Sequence, residues 1–146
     1  MKLSMNKLVF VDTWGWLTLN DAGERKHQQV VDCYRTLITA NTKIYTTTFV
    51  LDETFTLFFK RLNASQAKGS MLKLSGAFTS DRFHLIQIDD QRFTQAQSLR
   101  LKYLDKPQIS FTDLTSMVVM QEFAIEQILT EDAHFTHVGL GFECLP

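Results

Sequence analysis

Alternation of β-prone runs with helix-length segments predicts an α/β chain, a three-layer α/β/α sandwich around a central, mostly parallel sheet with Rossmann-like topology. Two observations carry this expectation. Short apolar runs such as "LVFV" and "FHLIQI" are followed by segments whose apolar residues recur every three or four positions. Strands separated by helices of that length do not pair as hairpins; they join through right-handed crossovers whose helices cover the sheet on both faces. With 146 residues the chain is of ordinary single-domain size, so one domain over 1–146 is expected, with a core that needs no disulfide or structural metal.

The elements follow in order. "NKLVFVDTW" reads as a buried strand, Leu8 to Val11, that stops at Asp12. Trp14, Trp16 and Leu17 then form a dense apolar cluster on a very short helix. It reads as core packing or as an anchor for a partner segment or a second subunit, since large aromatics dominate both settings. From Ala22 to Thr39, Val30, Val31, Tyr34, Leu37 and Ile38 recur at helical spacing. "KIYTTT" is β-rich and runs directly into "FVLDETFTLFFKRL", where Val50, Thr54, Leu57, Phe58 and Leu62 mark one helical face. A third long helix is expected over Ala64 to Ser80, then a strand over Phe83 to Ile88, then the helix "QRFTQAQSLRLKYL", which Pro107 stops. "QIS" reads as a short strand and Thr112 to Glu126 as a helix apolar on nearly every side, hence the most buried one. "QILTED" is the next strand, "AHFTHVG" a short helix or turn, and "LGFECLP" a possible edge strand.

Composition narrows the function. Hydrophobic residues at 45% and charged residues at 21% place the chain among globular proteins. No apolar run is long enough to cross a bilayer and no h-region follows Lys2, so a soluble, cytoplasmic protein without membrane partners is expected. Cys33 and Cys144 have no CxxC spacing and read as reduced, buried thiols. A net charge of -1 argues against coating nucleic acid by bulk electrostatics. A local basic stripe remains in "KRLNASQAKGSMLK", where Lys60, Arg61, Lys68 and Lys73 either contact phosphates or form solvated surface.

The chemistry lies in four dispersed acids. In a parallel sheet, ligands bind at the carboxyl ends of the strands, where the strand order reverses. Asp12 ends the first strand, Asp113 opens the helix after "QIS", Asp132 follows "QILT", and Glu53 lies in the first two turns after "KIYTT". Taken alone, Asp113 is also the acid of a capping box with Ser110, in the [ST]-x-x-[DE] spacing. Together the four can face one sheet edge, where carboxylates repel and raise one another's pKa unless a cation neutralises them. Oxygen ligands favour Mg2+ or Mn2+, and a metal held this way suits phosphodiester hydrolysis. There is no GxGxxG after the first strand, no GxxxxGK[ST] and no GxSxG. The Asp-x-Asp of a haloacid-dehalogenase phosphatase is replaced by Asp12-Thr13-Trp14. His27, His84, His134 and His137 are scattered, and the pair His134 and His137 reads as a solvated turn.

The motifs "FVDTWGWL", "TTTFVLDETFTLF", "ISFTDLTSMVVM" and "ILTEDAHFTHVGL", in this order, resemble the PIN-domain ribonucleases, especially the VapC-like toxins of toxin–antitoxin pairs. The resemblance runs from about Leu8 to Phe142. It implies a PIN-like fold and an RNA-cleaving centre in which Asp12, Glu53, Asp113 and Asp132 bind Mg2+ or Mn2+. It also implies an RNA substrate, a small antitoxin partner and a homodimer. Asp52 beside Glu53 leaves the second acid open, because one residue turns a helix by about 100°. Thr13 and Thr130 are candidates to bind the phosphate or a carboxylate. The alternative from another class is a non-catalytic PIN-fold module that binds RNA or protein, and its mark would be a missing acid.

Overall fold

The computed structural model describes residues 7–146. Lys2, which entered the reading of the N-terminus, lies outside them. Among the described residues five strands, all parallel, form one sheet: β1 (Leu8–Val11), β2 (Lys43–Thr47), β3 (Phe83–Ile86), β4 (Gln127–Leu129) and β5 (Glu143–Leu145). Seven helices among the described residues connect them: α1 (Thr13–Asn20), α2 (His27–Thr39), α3 (Thr48–Arg61), α4 (Ala64–Ala77), α5 (Asp90–Lys102), α6 (Phe111–Glu122) and α7 (His134–His137). The strand order is β3-β2-β1-β4-β5. The chain therefore builds outward from β1 in one direction and returns to add β4 and β5 on the other side. The switch point falls between β1 and β4, in register from Val9 opposite Gln127 to Val11 opposite Leu129.

β1 is buried along Val9, Phe10 and Val11, as expected of a central parallel strand covered on both faces. α6 is the most buried helix, with every residue from Asp113 to Met120 inside. α1 also packs tightly on the sheet. A Cβ on Gly15 would lie 2.8 Å from the Leu129 carbonyl oxygen and 2.9 Å from Val11 Cγ1, so only glycine lets this helix backbone settle over the switch point. Trp16 is buried, and its Nε1–H donates to Thr46 Oγ1 (3.2 Å), whose own hydroxyl donates to the Val11 carbonyl (2.9 Å). Leu17 is buried too and Trp14 half-buried, so core packing accounts for two members of the cluster.

Several expected boundaries move. The second helix starts at His27, because residues 21–26 form a turn that Asp21 organises by accepting from the Gly23 N–H (2.9 Å). α4 ends at Ala77 and β3 at Ile86. α6 ends at Glu122, and the chain leaves it through Ala124 at φ 54°, a left-handed cap. "QIS" is not a strand. The Ile109 carbonyl is taken by Arg100 Nη1 (2.7 Å), and Nη2 of the same guanidinium binds the carbonyls of Tyr103 and Lys106 (2.7 Å each), so this segment is a tied turn rather than a ladder. The thiols of Cys33 and Cys144 are free but only half-buried. Among the described residues no helix is long and apolar enough to cross a membrane.

Candidate active site

Each acid is delivered by a different element at the carboxyl edge of the sheet. Asp12 ends β1 and caps α1, its Oδ1 accepting from the Thr13 N–H (2.8 Å). Its other oxygen accepts from the Thr130 hydroxyl (2.9 Å) across the switch point, and its N–H donates to the Leu129 carbonyl (3.3 Å). Thr130 in turn accepts from the Asp132 N–H (3.0 Å), so one buried hydroxyl sets the spacing of two acids. Burial pushes the Asp12 carboxyl up to about 6, against the opposing pull of the Thr130 and Thr13 bonds.

At Asp113 the spacing of the capping box is only half used. Ser110 is the cap of α6, its Oγ accepting from the Asp113 N–H (3.0 Å), but the return bond of a capping box is not made. The Asp113 carboxyl instead lies against that of Asp132, one oxygen of each within 4.8 Å of the other. Burial, the hydrogen bond with Asp132 and the charges of Asp12, Asp132 and Glu53 hold it protonated far above the usual carboxylate range. Two carboxyls in contact need a shared proton or a cation between them.

Glu53, not Asp52, turns toward this cluster. The Thr13 hydroxyl donates to Glu53 Oε1 (3.2 Å), and Glu53 contributes to the field on both Asp12 and Asp113. Asp52 lies on another face of α3, lining a hollow with Leu51, Phe55 and Phe78. The two threonines singled out from the sequence thus hold carboxylates: Thr13 holds Glu53 and Thr130 holds Asp12.

One member of the cluster escapes the sequence reading. His134, in the short helix after Asp132, places Nδ1 3.0 Å from Asp132 Oδ1, and its backbone N–H donates to that oxygen (2.9 Å). One donor atom each from Asp113, Asp132 and His134 lie within 4.8 Å of one another, close enough for a single ion. The expected solvated turn is therefore correct for His137 but not for His134, which is half-buried against the acids. A histidine two residues past the last acid was the available signal.

The basic residues are not gathered at this site. Lys60 and Arg61 occupy the last turn of α3, Lys68 and Lys73 project from α4, and all four are exposed. Seven residues of helix, about 10 Å of rise, separate Glu53 from Lys60.

No family model matches the sequence, and no curated relative matches it at the sequence level. Solved structures do match. VapC20 of Mycobacterium tuberculosis, a sarcin-ricin loop cleaving toxin, superimposes with a TM-score of 0.74 and 25% identity over 90% of this chain and 95% of its own. VapBC2 of Rickettsia felis, bound to a DNA fragment from its promoter, matches with a TM-score of 0.70 and 16% identity over 95% and 99%. A toxin-antitoxin complex from Klebsiella pneumoniae matches with a TM-score of 0.60 and 14% identity over 92% and 95%. In fold the chain resembles the VapC-like PIN-domain toxins.

Proposed function

We propose that the chain is a metal-dependent endoribonuclease and the toxin of a toxin–antitoxin pair, with Asp12, Asp113, Asp132 and Glu53 as its catalytic acids. The observation that carries this reading is the buried Asp113 carboxyl set against Asp132, with Asp12 held beside them at the switch point. A missing acid would favour a non-catalytic module, and here all four are present. The likeness to a toxin that cleaves the sarcin-ricin loop supports RNA as the substrate.

The donor set fits a divalent ion. Asp12, Asp113 and Asp132 would hold it, with Glu53 or His134 at the margin; when bound it neutralises the acids and supplies Lewis-acid assistance to phosphodiester hydrolysis. Mainly carboxylate donors favour Mg2+ or Mn2+, and the His134 nitrogen weights the choice toward Mn2+. The side chains do the positioning. Thr130 fixes Asp12 relative to Asp132. Glu53, exposed and steadied by Thr13, is placed to take a proton from an attacking water. Lys60, Arg61, Lys68 and Lys73 form a basic arm on the α3–α4 hairpin that contacts RNA phosphates away from the reacting one.

A small antitoxin, a homodimer and a cytoplasmic location complete the reading. The likeness in fold to VapBC2 and to a toxin-antitoxin complex supports the protein partner. The test is cleavage of single-stranded RNA by the purified chain. Products are expected with Mg2+ or Mn2+ and none in EDTA or from Asp113→Asn; metal-independent cleavage, or full activity of that variant, refutes the proposal.

A further inference from the structure

Residues next in sequence to the acids line a small concavity with no role in the proposed chemistry. It is a pocket of about 170 Å³ lined by Trp14, Thr18, Glu24, Arg25, Lys26 and Glu131. Two of its walls are continuous with the catalytic elements. Trp14 follows Thr13 on α1, and Glu131 lies between Thr130 and Asp132. The remaining wall is the turn between α1 and α2. There Glu131 Oε2 draws in two cations, Lys26 Nζ at 3.0 Å and Arg25 Nη2 at 3.9 Å. Arg25 keeps 82% of its side chain in solvent, so most of its guanidinium donors are free. The Trp14 ring is half-buried, and the Thr18 hydroxyl is fully buried with no hydrogen-bond partner among the described residues.

Resting on the nuclease reading, we infer that this pocket receives the nucleotide next to the scissile phosphate, with its base against Trp14 and its phosphate on Arg25. Size favours this occupant, because the pocket is smaller than the 300–1,000 Å³ typical of small-molecule sites and suits one planar ring. Charge favours it as well. A polyanion entering a cluster of acids is repelled, and a cation at the rim offsets that repulsion where the strand must bend in. Glu131 tethers Arg25 loosely at this rim, and a guanidinium matches phosphate geometry in two-point fashion. A half-buried indole lining the pocket offers any base a stacking face, so the subsite tolerates different bases, while the unpaired Thr18 hydroxyl gives it a means to prefer one. Trp14 and Arg25 are thus positioning residues, one step from the reacting phosphate.

The test uses the full chain carrying Asp113→Asn, in EDTA, so that RNA binds without being cut. A short single-stranded RNA is titrated by intrinsic fluorescence and by anisotropy at several salt concentrations. The parent should bind with a change in tryptophan emission, which arises from Trp14 because Trp16 is buried and bonded to Thr46. Trp14→Leu should weaken binding by roughly five- to a hundredfold, and Trp14→Tyr, which keeps a stacking ring, should recover much of it. Arg25→Gln, at an exposed position where folding is not at risk, should flatten the salt slope by about 0.7, the share of one phosphate on a single strand. The charge control Arg35→Gln, on the exposed face of α2 and paired with Asp32, should leave the slope unchanged. RNA binding at parental affinity and slope by both Trp14→Leu and Arg25→Gln overturns the inference while leaving the nuclease reading intact. Failure of the parent to bind RNA at low salt overturns both.

Discussion

Two buried acids that hold protons make a specific demand on the metal-free protein: it should lose stability as pH rises from 5 to 8. The folded chain keeps the Asp12 proton up to about pH 6, whereas the unfolded chain releases it near the ordinary value of 3.8. Between those values the folded state binds more protons than the unfolded one, so each increment of pH favours unfolding. Raising this carboxyl from 3.8 to about 6 corresponds to about 3 kcal/mol, present at low pH and lost as pH passes the folded value. Asp113, also raised, extends the loss in the same direction at higher pH. About half of that, roughly 1.4 kcal/mol, is lost between pH 5 and pH 8, and for a chain of this size each kcal/mol moves the Tm by about 4 °C, so Asp12 alone contributes a fall of about 5 °C over this range in EDTA. Asp12→Asn isolates the contribution, because asparagine still accepts from the Thr13 N–H and its amide can donate to Thr130 Oγ1, yet it carries no titrating proton. The assay is calorimetric unfolding at pH 5 and pH 8. The wild type should fall more steeply than Asp12→Asn, and millimolar Mn2+ should stabilise the wild type more at pH 8, where the ligands are ionised. A wild-type Tm that rises over this range by as much as the variant's refutes the assignment of protons to the acid cluster.

Other expectations address single residues. Asp113→Asn in EDTA should unfold at the wild-type temperature or above, because the amide replaces a carboxyl already protonated, while RNA cleavage with metal disappears; marked destabilisation with retained cleavage would make Asp113 a purely structural residue. Glu53→Gln should abolish cleavage and Asp52→Asn leave it nearly intact, since only Glu53 meets the Thr13 hydroxyl; the reverse pattern contradicts the helix phase. Gly15→Ala should cost about 1–3 kcal/mol in denaturant unfolding, because the new methyl meets a backbone oxygen that cannot move aside, and an unchanged midpoint would mean that α1 shifts freely. Neutralising Lys60 and Arg61 together should flatten the salt dependence of RNA binding by about 0.7 per residue, and an unchanged slope returns them to solvated surface.

The parts of the molecule legible in the sequence are those with local causes. Strand and helix periodicities follow from side chains that must reach the same core, and Asp12 marks the end of β1 because a charge cannot continue a strand buried on both faces. What escaped was set by distant partners. Ile109 resembles a strand residue until Arg100, nine positions earlier, takes its carbonyl. Asp52 and Glu53 differ by one helical step, and the choice between them is made by Thr13, forty residues away. Asp113 and Ser110 have the spacing of a reciprocal cap, yet a buried carboxyl finds Asp132 rather than the nearby backbone. Gly15 lies among aromatics as an unremarkable helix-weakening residue, and only the approach of α1 to β4 shows why no side chain fits. His134 needed the turn after Asp132 to bring its ring back onto that acid.

If these acids form one metal centre, anomalous diffraction from a crystal soaked in Mn2+ will locate the ion. A manganese peak is expected between the carboxylates of Asp113 and Asp132, within coordination distance of Asp12 or His134, and it should be lost in Asp113→Asn crystals. A fully soaked crystal with no peak at these carboxylates, or with one that persists unchanged in that variant, would contradict a single metal centre.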